Sequence, residues 1–156
     1  MDVLDFVGDA DPAPKGGGPF VAFATWSPAE RQALRRLGTV ETFAAGKEVI
    51  TAGAVDRSLL IVLEGRFEIV RGRHTDQRRR ADPVLAQAGP GDLVGELAFV
   101  DGRPRSASVR AVGAAKALRV RPEDVERLAD DDPVVARKFV WEIARVLAER
   151  LRGAWG

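Results

Sequence analysis

At 156 residues the chain is long enough for one domain with a real core and too short for two ordinary ones. Its 24 basic and 23 acidic residues leave a formal charge of only +1, so nothing global attracts nucleic acid, and the absence of Cys excludes a disulfide framework, a thiolate nucleophile and a cysteine zinc site. The longest aliphatic run, residues 59–63, falls far below the roughly 20 residues of a membrane span, and the acidic start MDVLDF lacks a signal peptide's basic region, so a cytoplasmic protein is expected.

The first residues carry Val3, Leu4, Phe6 and Val7, and GDADPAPKGGGP follows with the glycine and proline density of a linker. Residues 1–19 therefore read as a flexible arm, and residues 20–156 as one domain. Ser27-Pro28-Ala29-Glu30 then forms a capping box with proline at the first helical position, followed by Leu34 and Leu37 on one face and Gly38 as a stop. These signals predict a helix over 28–37, packed on the body through Trp26, Leu34 and Leu37.

From Val40 to Val120 the pattern changes to short apolar segments punctuated by glycines, the signature of an antiparallel sandwich or barrel. EVIT, SLLIVLE, RFEIV, PVLAQA, SASVRAV and KALRV are the clearest strands, with Phe67 and Ile69 alternating against Arg66 and Glu68, and Gly65 making a tight turn. Between two of them lies RGRHTDQRRRADP, which holds the only histidine, His74. Without interleaved aromatics, and diluted by Asp76 and Asp82, this loop reads as a solvated hairpin tip rather than a nucleic-acid patch. One histidine cannot build a multi-histidine metal site, and none is expected.

The chemically specific stretch is VGELAFVDGRPRSASVRA, residues 94–111. Gly95, lacking a Cβ, allows close approach of a ligand to the backbone, and Glu96 adds an acceptor-only carboxylate. Leu97 and Ala98 begin a short helical turn whose first amides have no partner within it and favour an anion. Arg105 brings a planar fork of donors suited to phosphate, and Ser106 and Ala107 add a hydroxyl and two amides. Together they describe a pocket for a phosphorylated ribose.

Gly-Glu-Leu-Ala, a short spacer containing Gly102, then Pro-Arg-Ser-Ala-Ser-Val resembles the phosphate-binding cassette of the cyclic-nucleotide-binding domain family, which includes kinase regulatory subunits and catabolite activator proteins. The spacing is similar to the kinase form. The resemblance implies an α+β fold, a single antiparallel β jelly-roll barrel flanked by an N-terminal helix and C-terminal helices. It also implies that Glu96 takes the ribose 2′-hydroxyl and Arg105 the cyclic phosphate. Ser106 occupies the position that tracks base preference in the kinase branches and leaves cyclic AMP (cAMP) and cyclic GMP (cGMP) both open, with cAMP favoured.

Pro122-Glu123 begins a short helix carrying Val125 and Leu128, and Asp132-Pro133 looks like the cap and first position of a second helix running to about Arg152. Val135, Phe139, Ile143, Val146, Leu147 and Leu151 recur at helical spacing as its apolar stripe. In the family this terminal helix pair moves to cover the base or forms a dimer seam. Trp155, in RGAWG beyond the stripe, is the candidate base lid; packing on the helix, a dimer contact or a frayed end are its alternatives.

The expectation is a stand-alone cyclic-nucleotide sensor that binds cAMP or cGMP reversibly and signals through C-terminal helix movement to a separate effector protein. No catalytic residues, cofactor, nucleic acid or membrane partner is expected, and a homodimer would use the C-terminal helix. The alternatives are a nucleotide-silent structural or dimerisation module, and a phosphodiester enzyme, which the residues around the cassette disfavour because they offer no metal cluster or acid–base pair.

Overall fold

The computed structural model describes residues 22–71 and 83–155, the side chains at 154 and 155 excepted; the expected arm over 1–19 and the basic tip with His74 lie outside the described residues. The first helix, α1 (Pro28–Leu37), starts where its capping box requires. The Ser27 hydroxyl accepts the Glu30 N–H at 3.2 Å, and the Glu30 carboxylate accepts the Ser27 N–H at 2.8 Å. Leu34 and Leu37 are buried against Trp26 and Phe23, and Phe23 stacks on Phe139 with ring centroids 6.3 Å apart.

The strands are β1 (Thr39–Phe43), β2 (Glu48–Ile50), β3 (Leu59–Glu64), β4 (Phe67–Arg71), β5 (Val84–Ala88), β6 (Leu93–Val94), β7 (Ala107–Ala111) and β8 (Ala115–Val120). They form two antiparallel sheets ordered β1-β8-β3-β6 and β2-β7-β4-β5, the jelly-roll arrangement expected, as a sandwich of two sheets. EVIT, SLLIVLE, RFEIV, PVLAQA, SASVRAV and KALRV supply β2, β3, β4, β5, β7 and β8. The other two carry little apolar pattern: β1 is an edge strand with only Phe43 buried, and β6 is two residues long.

The unbroken run in β3 has a direct cause. Leu60 and Val62 face the inter-sheet core with Phe67, Val94, Val109 and Ala117, while Leu59, Ile61 and Leu63 face a second core shared with the helices. A strand covered on both faces cannot alternate. Gly65 makes the expected turn with φ +78°, and a Cβ there would fall 2.6 Å from the Ala114 carbonyl oxygen.

After β8 come α3 (Pro122–Asp131) and α4 (Pro133–Trp155). Asp132 serves both: its N–H donates to the Leu128 carbonyl, and its Oδ1 accepts the Val135 N–H at 3.1 Å. The buried face of α4 is Val135, Phe139, Ile143 and Val146, with Leu147 half-buried. Two expectations are corrected here. Leu151 is 57% exposed and does not continue the stripe; the four-residue step from Val146 lands on Arg150 instead. The helix also runs through Trp155, past the end expected at about Arg152, so that residue belongs to the last helical turn. Among the described residues no helix is long and apolar enough to cross a membrane.

Candidate functional site

Short β6 ends at Val94, and Gly95, with φ +86°, turns the chain into the short helix α2 (Glu96–Asp101). Ala98 and Phe99 bury that helix against the sheet, which carries Glu96 inward on the same side, while Leu97 and Val100 stay about half exposed. Gly102 closes α2 in the left-handed conformation, its N–H donating to the Ala98 carbonyl. The chain then returns through Arg105 and Ser106 to β7.

Gly95, Glu96, Leu97, Ala98, Arg105, Ser106 and Ala107 all line one cavity of about 180 Å³. Ile50, Ile69, Val94 and Val109 give it apolar walls, and Arg150 from α4 completes it. Ser106 lies exposed at its rim. Every residue singled out in the cassette is thus in one place. Trp155 is in the last turn of α4, its side chain outside the described residues.

Arg105 is buried, its side chain 3% exposed. Its Nη1 donates to the Gly95 carbonyl at 3.0 Å, and its Nη2 donates to Asp56 Oδ2 at 2.8 Å and to the Ser58 carbonyl. Its Nε is buried with no partner among the described residues. The guanidinium is therefore aimed by the protein and keeps donor capacity in hand. Backbone bonds fix the same segment: Gly53 N–H donates to the Arg105 carbonyl at 2.8 Å, and Arg105 N–H to the Ala54 carbonyl at 2.9 Å. Arg57 Nη2 donates to the Phe99 carbonyl at the end of α2, 3.0 Å away. The loop before β3 is thus a strap across the cassette.

The strap explains Gly95. A Cβ there would lie 2.7 Å from Arg105 Nη1 and 3.2 Å from the Ser58 carbonyl oxygen, so the group that approaches the glycine closely is the arginine, where a ligand was expected. Asp56 is held in its charged form. Burial alone would raise its pKa, but the Ser58 amide, the Arg105 guanidinium and the Ser58 hydroxyl outweigh it and pull the value down to about 2. Ser58 Oγ donates to Asp56 Oδ2 and accepts from Arg119 Nη1, both at 2.8 Å. Arg119 in turn pairs with Glu41 on β1.

Glu96 is 3% exposed. Its Oε1 pairs with Arg150 Nη1, while Arg150 Nη2 donates to the Leu93 carbonyl. Its Oε2 is buried with no partner among the described residues. A buried acceptor left without a donor costs roughly 1–3 kcal/mol, more when charged, so it is a place where a ligand hydroxyl would be recovered as stability.

Sequence reasoning missed Asp56, Ser58 and Arg150. Nothing in AVDRS marks the first two, since their partner lies 49 and 47 positions away. A signal for Arg150 existed: it stands four residues after Val146, where the buried stripe of α4 would place its next member.

Residues 40–132 match the family model of the cyclic nucleotide-binding domain. The cyclic AMP receptor protein of Thermus thermophilus is 35% identical over 109 residues, 70% of this chain and 47% of that protein. The cAMP-dependent protein kinase regulatory subunit of Mycosarcoma maydis is 32% identical over 99 residues, 64% of this chain and 18% of that protein. The chain spans less than half the length of these curated relatives. In three dimensions, a cyclic nucleotide-binding domain from Methylobacillus flagellatus shares the fold with a TM-score of 0.74 at 21% identity, covering 98% of this chain and 78% of that one.

Proposed function

The chain belongs to the cyclic nucleotide-binding domain family, and we propose from that premise that it is a sensor that binds a cyclic purine mononucleotide reversibly and passes the signal to a separate effector protein. The observation that carries this reading is that Glu96 and Arg105 line one cavity and each keeps a buried polar atom, Oε2 and Nε, without a hydrogen-bond partner among the described residues. A ribose 2′-hydroxyl answers the first and a cyclic phosphate the second. The apolar walls suit a purine. The titratable groups among the described lining residues are one carboxylate and two guanidiniums, and a guanidinium stays protonated, so the cavity offers no acid–base pair for hydrolysis.

Cyclic AMP is the favoured ligand, with cyclic GMP as the rival that the Ser106 hydroxyl leaves open; the names of the two curated relatives favour the former. Trp155, five residues beyond Arg150 on α4, is the lid candidate for the base. Loss of roughly 1–3 kcal/mol of affinity in Trp155→Ala would support that role, and unchanged affinity would remove it. The deciding experiment for the main reading is calorimetry of nucleotide-free protein with both nucleotides. Saturable binding of one or both is expected, and binding of neither would reject the sensor.

A second reading has its own observation. Both terminal nitrogens of Arg105 already donate to Gly95, Asp56 and Ser58, as they would in a nucleotide-silent module where the arginine is structural. Val134, Val140, Trp141 and Leu151 are more than half exposed along α4 and would serve such a module as a homodimer seam. Sedimentation of the parent and Trp141→Lys, together with the calorimetry, separates the two readings.

A further inference from the structure

Away from the cassette, α4 and the start of α1 enclose a groove of about 480 Å³, lined by Thr25 and Glu30 and, from α4, by Val134, Arg137, Trp141 and Arg145 among others. Val134 and Trp141 stand about two helical turns apart on one side of α4, 57% and 62% exposed. A valine and a tryptophan left in water beside one groove form the kind of apolar patch that marks a contact surface.

The groove is also more cationic than its own pairs require. Lys138 Nζ donates to Glu30 Oε2 at 2.7 Å and Arg145 Nη1 to Glu142 Oε1 at 3.3 Å, whereas Arg137 has no ion-pair partner among the described residues. One positive charge is thus left over beside the exposed tryptophan. An acidic segment with apolar side chains would answer both features.

The sequence holds such a segment, and the chain leads it to the groove. Val3, Leu4, Phe6 and Val7 interleave with Asp2 and Asp5, and no Lys or Arg precedes Lys15. Ala22 and Phe23 are buried, Phe23 stacks on Phe139 of α4, and the Trp26 N–H closes a turn on the Phe23 carbonyl at 3.0 Å, which sets Thr25 in the groove wall. Ala22 is three peptide units from Thr25, at most about 11 Å. Residues 8–21 have the composition of a linker, and a tether of that length and kind spans on the order of 20 Å. So short a tether gives an effective concentration in the millimolar range, enough for a contact of only millimolar affinity to fill the groove about half the time.

We propose that residues 1–7 dock in this groove on their own chain, with Phe6 and its aliphatic neighbours on Trp141 and Val134 and the carboxylates of Asp2 and Asp5 beside Arg137. The arm then covers the side of α4 that a homodimer seam through Trp141 would need. The proposal goes beyond the sensor reading and is independent of nucleotide binding.

The chain has no Cys, so a nitroxide attached to Gly8→Cys in the whole chain reports where the arm lies. In nuclear magnetic resonance spectra, the amides of residues 134–145 and the Trp141 indole should broaden several-fold more than the amides of β5, which lies at the edge of the other sheet. The excess should fall to the β5 level in Phe6→Ser and in Trp141→Ala, and should shrink several-fold in Arg137→Glu. All three substituted positions lie on the arm or on exposed faces of α4, so the body should stay folded.

Broadening no greater along α4 than in β5, or an excess that survives both Phe6→Ser and Trp141→Ala, would overturn the docking. Isotope-labelled parent mixed with unlabelled chains that carry the nitroxide should show no excess. An excess in the mixture equal to that within one chain would assign the bound arm to a second copy and overturn docking within the chain.

Discussion

Asp56 Oδ2 accepts a hydrogen bond from Arg105 Nη2 at 2.8 Å, tying the loop before β3 to the segment before β7. The aspartate is itself fixed, its Oδ1 accepting the Ser58 N–H at 3.0 Å and its Oδ2 accepting the Ser58 hydroxyl. The guanidinium is therefore oriented by a short chain of charged and polar groups before any anion arrives, which lowers the ordering cost of binding one.

That relationship has a pH signature. The folded-state pKa of Asp56, about 2, lies below the value near 3.9 of an unfolded chain. Its contribution to stability is complete above about pH 4 and is lost as the pH falls toward 2. Asp56→Asn lacks the contribution throughout. Urea titrations should therefore show the parent more stable near neutrality, with the gap closing through the acid limb. A gap that stays constant down to pH 2 would separate the stabilisation from the charge of Asp56.

Arg105→Ala should weaken nucleotide binding by about 2–5 kcal/mol, the range for truncating one member of a buried charge pair. The structure adds a second effect. The Ser58 and Gly95 carbonyls lose their donor, so unfolding should also move to lower denaturant, by about 1–3 kcal/mol. Calorimetry at a temperature where circular dichroism shows the variant folded checks the first effect. Affinity within a few-fold of the parent would show that Arg105 is not the phosphate ligand.

Gly95→Ala tests the close approach. The residue has a positive φ, and the added Cβ would meet Arg105 Nη1 at 2.7 Å, so both the backbone and the guanidinium must shift. A cost of about 1–3 kcal/mol in stability is expected together with a loss of affinity. Binding and stability equal to the parent's would mean that the turn into α2 can relax without moving Arg105.

Glu96→Gln keeps the shape of the side chain and removes its charge. A hydrogen bond to a charged group contributes about 1.5–3 kcal/mol, so the parent should prefer ribose over 2′-deoxyribose by tenfold or more, and the variant by much less. Competition titrations with the two sugars measure it. Equal affinities in the parent would reject Glu96 as the sugar ligand.

Local rules carried much of the fold. The capping box at Ser27 set the start of α1, Asp132-Pro133 set the start of α4, and the glycine-punctuated apolar segments became the strands of two sheets. These features were legible because each is decided within a few residues by hydrogen-bonding geometry and side-chain period. The cassette was legible for the same reason. Gly95, Glu96, Arg105 and Ser106 lie within a dozen positions, and their chemistry already described a pocket for a sugar and a phosphate.

What only the tertiary structure decided is how those residues are held. Asp56 and Ser58 reach Arg105 because β3 lies between β8 and β6, an order set by long-range pairing that no local pattern encodes. Leu151 follows the helical period yet faces solvent, and Arg150 reaches Glu96, because the burial of a side chain depends on what the body places opposite it. Periodicity identifies a face of a helix; which member of that face meets a core and which meets a buried carboxylate depends on where the neighbouring elements end.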